Sequence, residues 1–298
     1  MSDLETFLGL RASLFGVAYR MLGSATEAED IVQEAYLRWS QRGRSDVDAP
    51  SAFLTTIVTR LCIDQLSSAR ARRETYKGPW LPEPLEIGAP GPDESAELAD
   101  SLSLAFLVLL EELQPVERAV FLLHDVFDYS YGEIAGIVDR SEPACRQLVS
   151  RARHRVDAPR RRFDADRMHG REPTRRFLVA CGSGDLDGLL ALLSDDVTVW
   201  TDGGGNVRAA LRPVTGPHRA GRFLMSVARR VADGVTVREV DLNGQPGLVF
   251  ELDRQVTMAL TLDVHADRVV DVRVVTNPDK LIALQPDRRP DLSGLFPR

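Results

Sequence analysis

Seven arginines (146, 151, 153, 155, 160, 161 and 162) stand between Ser141 and Arg162 against two acidic residues, Glu142 and Asp157, and no lysine shares the load. The planar arginine fork bonds phosphate and guanine in pairs, which the point charge of lysine does not. The elements that must hold these groups are written beside them. Ser130 with Glu133 three residues on makes a capping box, and Ser141 followed by Pro143 marks a second helix start. Tyr131, Ile134, Ala135 and Val138 give the first helix an apolar side, and Cys145, Leu148, Val149 and Ala152 do so for the second. The turn at Asp139-Arg140 is too short to lay the helices side by side, so they cross as a helix-turn-helix. Ser141, Pro143, Ala144, Arg146, Gln147, Ser150, Arg151 and Arg153, with Ser130 and Tyr131 at the head of the first helix, are then the candidate DNA contacts.

Charge is divided along the chain. Residues 1–140 carry 12 basic against 23 acidic groups, 141–170 carry 8 against 4, and 171–298 carry 17 of each. The basic footprint is local and the rest repels a duplex, so weak binding to free DNA and delivery by a larger partner are expected. The 298 residues suggest two or more domains. Cys62, Cys145 and Cys181 are isolated and lack metal-ligand spacing, which predicts reduced core thiols, no metal and no cofactor. The longest apolar run, Leu102 to Leu110, is too short to cross a bilayer, and no leader pattern opens the chain; a cytoplasmic protein is expected.

In chain order, Leu4 to Leu22 reads as a helix broken at Gly23, and Ser24 with Glu27 opens another whose apolar stripe is Ala28, Ile31, Val32, Ala35 and Trp39. A third run spans Ser51 to Leu66. Pro79, Pro82, Pro84, Pro90 and Pro92 then fall among acidic residues, which predicts an extended acidic linker rather than a folded unit. Helices resume near Ser101. The first ~160 residues are thus expected to be two small helical modules on a tether. Beyond Arg162, Thr174 to Leu193 reads as two helical pieces hinged at Gly182-Ser183-Gly184 with Asp185 as a cap. Val197–Trp200, Leu248–Leu252, Val256–Val264 and Val269–Val275 alternate with period two and read as strands of one sheet, an α+β domain.

The run Ala28 to Trp39 resembles the signature of bacterial extracytoplasmic-function sigma factors. The resemblance implies that Asp30, Gln33, Glu34 and Arg38 contact the β and β′ subunits of core RNA polymerase. The run from Ala52 to Arg73 is similar to the region that opens promoters, so Thr59, Arg60, Asp64, Gln65, Arg70, Arg72 and Arg73 are implied to read the −10 element, where a base is flipped out of the stack. Asparagine usually stands at Arg60 in that family. The helix-turn-helix corresponds to the module that reads the −35 element of promoter DNA. Ser183 to Trp200 resembles the cone-shaped SnoaL-like (polyketide-cyclase-like, NTF2-like) fold. Asp202-Gly203-Gly204-Gly205-Asn206, Asn277-Pro278-Asp279-Lys280-Leu281 and the linker phrase Tyr76 to Pro84 resemble paired motifs of the SigJ-like subgroup, which carries that domain fused at its C-terminus. Lysine is common there at Asn206.

The implied organisation is sigma domain 2 at 1–75, an acidic Pro-rich linker at 76–100, sigma domain 4 at 101–162, and a SnoaL-like α+β regulatory domain at 163–298. The two motif segments are expected to hold the helical modules in cis, with no separate anti-sigma factor, and Asp202→Ala and Asp279→Ala are expected to alter promoter output with little effect on stability. Trp200, His218, Phe223 and His265 form a candidate pocket for an unassigned small ligand. No catalytic residue is assigned and the chain is not read as an enzyme. Two rivals stay open at this point: a stand-alone repressor or small-molecule-sensing regulator, and a cyclase or isomerase fused to a DNA-binding module.

Overall fold

The computed structural model describes residues 3–42, 49–73, 76–87, 101–160, 171–231 and 233–288. Three helices come first: α1 (Asp3–Leu22), α2 (Ala25–Arg42) and α3 (Pro50–Arg73). Gly23 ends α1 at a positive φ of 66°, and its N–H bonds back to the Tyr19 carbonyl at 2.7 Å. A Cβ there would meet the Trp80 ring at 2.7 Å, so glycine is needed for both the turn and the ring. Next are α4 (Leu104–Leu110), α5 (Pro115–Asp125), α6 (Tyr131–Val138) and α7 (Glu142–Arg160). The capping box at Ser130 and Glu133 forms as read. The turn after α6 works without glycine because Asp139 takes the left-handed conformation, φ 54° and ψ 56°, which aspartate tolerates better than most residues. The buried side of α6 is Ile134 and Ile137; Tyr131, Ala135 and Val138 are only part-buried, a correction to the apolar side read from the sequence.

The two expected helical modules form, but the segment between them is not a solvated tether that holds them apart. One hydrophobic core contains Phe15, Tyr19 and Leu54 of the first three helices, Phe106 and Phe121 of α4 and α5, and Val156 of α7. The described part of the linker, residues 76–87, is extended but not solvated: Leu81, Leu85 and Ile87 are buried, and Leu85 and Ile87 join that core. Each such burial stabilises by about 2 kcal/mol. Residues 88–100, with Pro90 and Pro92, lie outside the described residues.

The C-terminal part is α+β. It runs α8 (Arg171–Ser183), α9 (Leu186–Leu192), β1 (Leu193–Asp202), β2 (Val214–Thr215), α10 (Pro217–Ala228), β3 (Thr236–Leu242), β4 (Gln245–Leu252), β5 (Gln255–His265) and β6 (Arg268–Val275), closing with two 3₁₀ turns at Pro278–Lys280 and Ile282–Leu284. Asp185 caps α9 through the Gly188 N–H. The strands form one sheet in the order β2-β1-β6-β5-β4-β3, with β1 and β6 parallel and the other neighbours antiparallel. Register shifts put extra residues on β1, on β5 at Thr257 and on β6 at Val270, the irregularities of a bulged sheet. Alternation along the strands sorts side chains to two faces. Val199, Leu248, Leu260, Leu262, Val272 and Val274 pack under the helices. Val240, Leu242, Val249, Ala259 and Val275 form the other face, where linker residue Leu81 and Leu281 and Leu284 of the 3₁₀ turns cover them. The strand β3 and helix α10 were not anticipated.

The β3–β4 turn joins the parts. Asn243 and Gly244 both have positive φ, the arrangement of a tight hairpin turn. Asn243 is fully buried; its amide donates to the Tyr19 hydroxyl at 2.7 Å and the Leu102 carbonyl at 2.8 Å and accepts from the Leu85 N–H at 2.9 Å. The Tyr19 hydroxyl in turn donates to the Glu83 carbonyl at 2.6 Å. One side chain thus ties the sheet to α1, to the linker and to the approach to α4. Asn243→Gly keeps the turn's backbone freedom but strands these groups, so it is expected to cost about 2–4 kcal/mol in urea unfolding followed by circular dichroism.

Candidate functional site

A dense polar cluster lies where β1 ends. The Asp202 carboxylate, 1% exposed, accepts the Tyr76 hydroxyl at 2.5 Å, the Gly204 N–H at 3.0 Å and the Leu81 N–H at 2.8 Å. The Lys280 ammonium donates to the same carboxylate at 2.7 Å and to the Leu81 carbonyl at 2.5 Å. It also lies 4.1 Å from the Trp80 ring centroid and 5.0 Å from that of Tyr76, within cation–π range. The Asn277 amide donates to the Tyr76 hydroxyl at 3.1 Å. Burial first, and the bond to Asp202 second, push the Tyr76 phenol well above its ordinary range. Gly204 has φ 63°, and a Cβ there would strike the Asn277 amide at 2.4 Å. Gly205 packs on Lys77. Leu281 is buried, Pro278 and Asp279 are exposed, and Asn206 is exposed and closes the turn through its N–H to the Gly203 carbonyl.

The two motif segments therefore grip the linker, not the helical modules. The linker passes the hold on. The Glu83 carboxylate accepts the Ser24 hydroxyl at 2.6 Å, the Ala25 N–H at 2.9 Å and the Thr26 N–H at 3.2 Å, capping α2 from 58 residues away in sequence. Ser24 still accepts the Glu27 N–H, but Glu27 is turned to Gln65. Burial pushes the Glu83 carboxyl up, against the lowering effect of those hydrogen bonds. Asp202, buried against Lys280, is not a residue whose replacement leaves stability unchanged; exposed Asp279 is.

The residues implied to read the −10 element are dispersed. Thr59 is fully buried and its hydroxyl has no hydrogen-bond partner. Arg60 donates to the Ile137 and Gly136 carbonyls at 2.8 and 3.1 Å, a cation on the C-terminal end of α6. Tyr129 bonds Thr55 at 3.1 Å nearby. Asp64 is exposed, Gln65 donates to Glu27, and Arg70, Arg72 and Arg73 fall on α3 with side chains outside the described residues. Further ties are Arg118 to the Met21 carbonyl and Arg20 to Ser101; burial lowers both guanidinium groups to about 9, so both stay charged at neutral pH.

The outer face of α7 is open. Ser141, Pro143, Arg146, Gln147, Ser150, Arg151 and Arg153 are exposed on α7, Ala144 and Tyr131 are part-exposed, and Ser130 is exposed at its box. Arg146 pairs with Glu142 and stacks 5.1 Å over Tyr131, while Arg153 holds Asp125 with both nitrogens at 2.8 Å. On α2, Asp30, Gln33 and Arg38 are exposed and Glu34 is part-exposed, paired with Arg38 at 2.8 Å. The candidate pocket does not assemble. Trp200 bonds Asp271 at 2.8 Å and lines a concavity with His265 on the linker face, Phe223 lines a cavity on the helix face, and His218 is exposed on α10. No group of histidine, cysteine and carboxylate ligands fit to hold a metal, and no helix long and apolar enough to cross a membrane, occurs among the described residues.

Comparison with known proteins bears on both ends. Residues 7–72 match the family model described as Sigma-70 region 2, and residues 103–156 that described as Sigma-70, region 4. The chain is 42% identical over 237 residues to the ECF RNA polymerase sigma factor SigJ of Mycobacterium tuberculosis, covering 78% of this chain and 75% of that one. It is 32% identical over 277 residues to the probable ECF RNA polymerase sigma factor SigI of the same organism, covering 92% and 93%. The crystal structure of SigJ from M. tuberculosis superposes with a TM-score of 0.74 at 35% identity, covering 93% of this chain and 98% of that chain.

Breaking the Asp202–Lys280 pair from either side leaves a buried group uncompensated. Asp202→Asn and Lys280→Met are each expected to cost about 3–5 kcal/mol, and the double variant less than the sum. Hydrogen exchange at the Leu81 amide and unfolding of the three variants check this; strict additivity would show that the two groups do not depend on one another.

Proposed function

The chain belongs to the extracytoplasmic-function sigma factors, which bind core RNA polymerase and direct promoter-specific initiation, and from that premise we propose that its C-terminal α+β domain governs promoter output in cis by holding the linker. The observation that carries this reading is the enclosure of Lys280 by Asp202, Tyr76, Trp80 and Leu81.

The free protein is a closed arrangement. Its polymerase face on α2, with Asp30, Gln33, Glu34 and Arg38, is open, so core binding needs no prior change. Its −10 readers are not open: Thr59 is buried with an unsatisfied hydroxyl, a strain of about 1–3 kcal/mol, and Arg60 is spent on α6. Docking on the β and β′ subunits separates α3 from α5 and α6, frees these groups for the −10 element, and lets the arginines of α7 reach the −35 element. Residues 76–87 must leave the sheet for that separation, and the Asp202–Lys280 contact resists it. The domain thus does the work that a separate anti-sigma protein does elsewhere, in the cytoplasm where polymerase acts.

Regulation rather than turnover is the role of the α+β domain. Trp200 and His265 are on one face of the sheet and Phe223 on the other, and the Asp202 carboxylate is committed to Lys280, so these side chains do not converge on one substrate-sized site.

Run-off transcription with core polymerase on the upstream region of the chain's own gene tests the reading. The unaltered chain is expected to start at a defined site, and Asp202→Asn to give several-fold more transcript at equal core occupancy. Absence of any defined start sinks the assignment of promoter recognition to this chain; equal transcript from both forms sinks the cis hold alone.

A further inference from the structure

The cavity lined by Phe223 is separate from the linker contact. It lies on the helix-covered face of the sheet, between α8, α10 and strands β1, β4, β5 and β6, with a volume of about 220 Å³. Phe177, Phe223, Phe250, Met258 and Val274 line it, and Val231 and Val237, 37% and 38% exposed, stand at its edge. Thr201 is its one lining residue with a side-chain oxygen. That hydroxyl is already engaged: it accepts the Ala210 N–H at 2.8 Å and donates to the Ala210 carbonyl at 3.2 Å. Cys181 also lines the cavity, and burial raises its thiol to about 12, so it stays neutral and unreactive at physiological pH.

The lining decides the chemistry of an occupant. No charged residue lines it to meet a carboxylate or phosphate, and its polar atoms are one engaged hydroxyl and one thiol, so a polar group brought in would lose water bonds with little replacement. An apolar cavity of about 150 Å³ takes up benzene, and in proportion there is room here for roughly nine non-hydrogen atoms. The partly exposed valines at the edge are apolar as well, which suits entry of such a molecule. We infer that this cavity is a binding site for a neutral, apolar small molecule of one or two rings or an equivalent short hydrocarbon. The site binds without transforming, since nothing in its wall can move a proton. Its neighbours on the strand pair give it reach: Thr201 and Val274 point into it, while Asp202 and Val275, one residue on, face the linker.

The test uses the full-length chain and two probes of the same shape, naphthalene and 1-naphthoate. Naphthalene is expected to bind saturably, with its own fluorescence as readout, and to raise the melting temperature; naphthoate is expected to do neither. Ala228→Phe, which fills the cavity from α10, is expected to weaken naphthalene binding at least tenfold. Equal binding of the two probes, no saturable binding of naphthalene, or unchanged affinity in a folded Ala228→Phe chain each overturns the inference. Probe selectivity on the unaltered chain keeps the test independent of how the variant folds and of whether Asp202 controls transcription.

Discussion

A lysine ammonium withdrawn from water loses several kcal/mol of hydration, and everything around Lys280 is arranged to make that up. The Asp202 carboxylate supplies the counter-charge, two aromatic faces and a backbone carbonyl supply the rest, and three of these four partners belong to the linker. Neither end of the contact is complete alone. The linker has no regular structure to satisfy the Leu81 N–H, and Lys280 is covered by linker residues. The same mutual dependence recurs at Glu83, which caps a helix that cannot cap itself fully, and at Asn243, which satisfies groups of three separate segments. The order of the linker is thus a property of what it lies against.

That order sets the state of the helical part. With residues 81–87 laid between α1 and the sheet, a single hydrophobic core runs from α1 to α7, and Arg60 and Gln65 of α3 bond protein. Arg60 shows the trade most directly. A guanidinium on the carbonyl end of α6 is favourable in itself, and the same group cannot also reach a base.

Helices with their own start signals were readable from the sequence, as were the strands with period-two runs and the helix-turn-helix, because those signals are local. Asp139 was readable too, had its tolerance for the left-handed conformation been weighed against the missing glycine. The Asn243-Gly244 hairpin was overlooked although the dipeptide is a strong turn signal, since β3 before it (Thr236–Leu242) mixes charged and apolar residues on an edge strand. The acidic, proline-rich texture of the linker pointed to a solvated tether, and composition indeed describes the chain but not its surroundings: Leu81, Leu85 and Ile87 are apolar residues spaced to alternate along an extended segment, and only the facing sheet reveals that they are buried. The motif segments around Asp202 and Lys280 were found by resemblance, while their grip on the linker required the fold. The dispersal of Trp200, His218, Phe223 and His265 follows from strand alternation and from His218 lying on an unforeseen helix.

Because the gripping sheet and the gripped linker are parts of one molecule, closure is a unimolecular event. A hold exerted by a separate protein weakens on dilution and is overrun once its target outnumbers it. A hold within one chain has an effective concentration fixed by geometry, so the fraction of molecules closed is the same at ten copies per cell as at ten thousand. The closed fraction is therefore independent of how much protein is made, and any change in it has to come from something that acts on the contact itself.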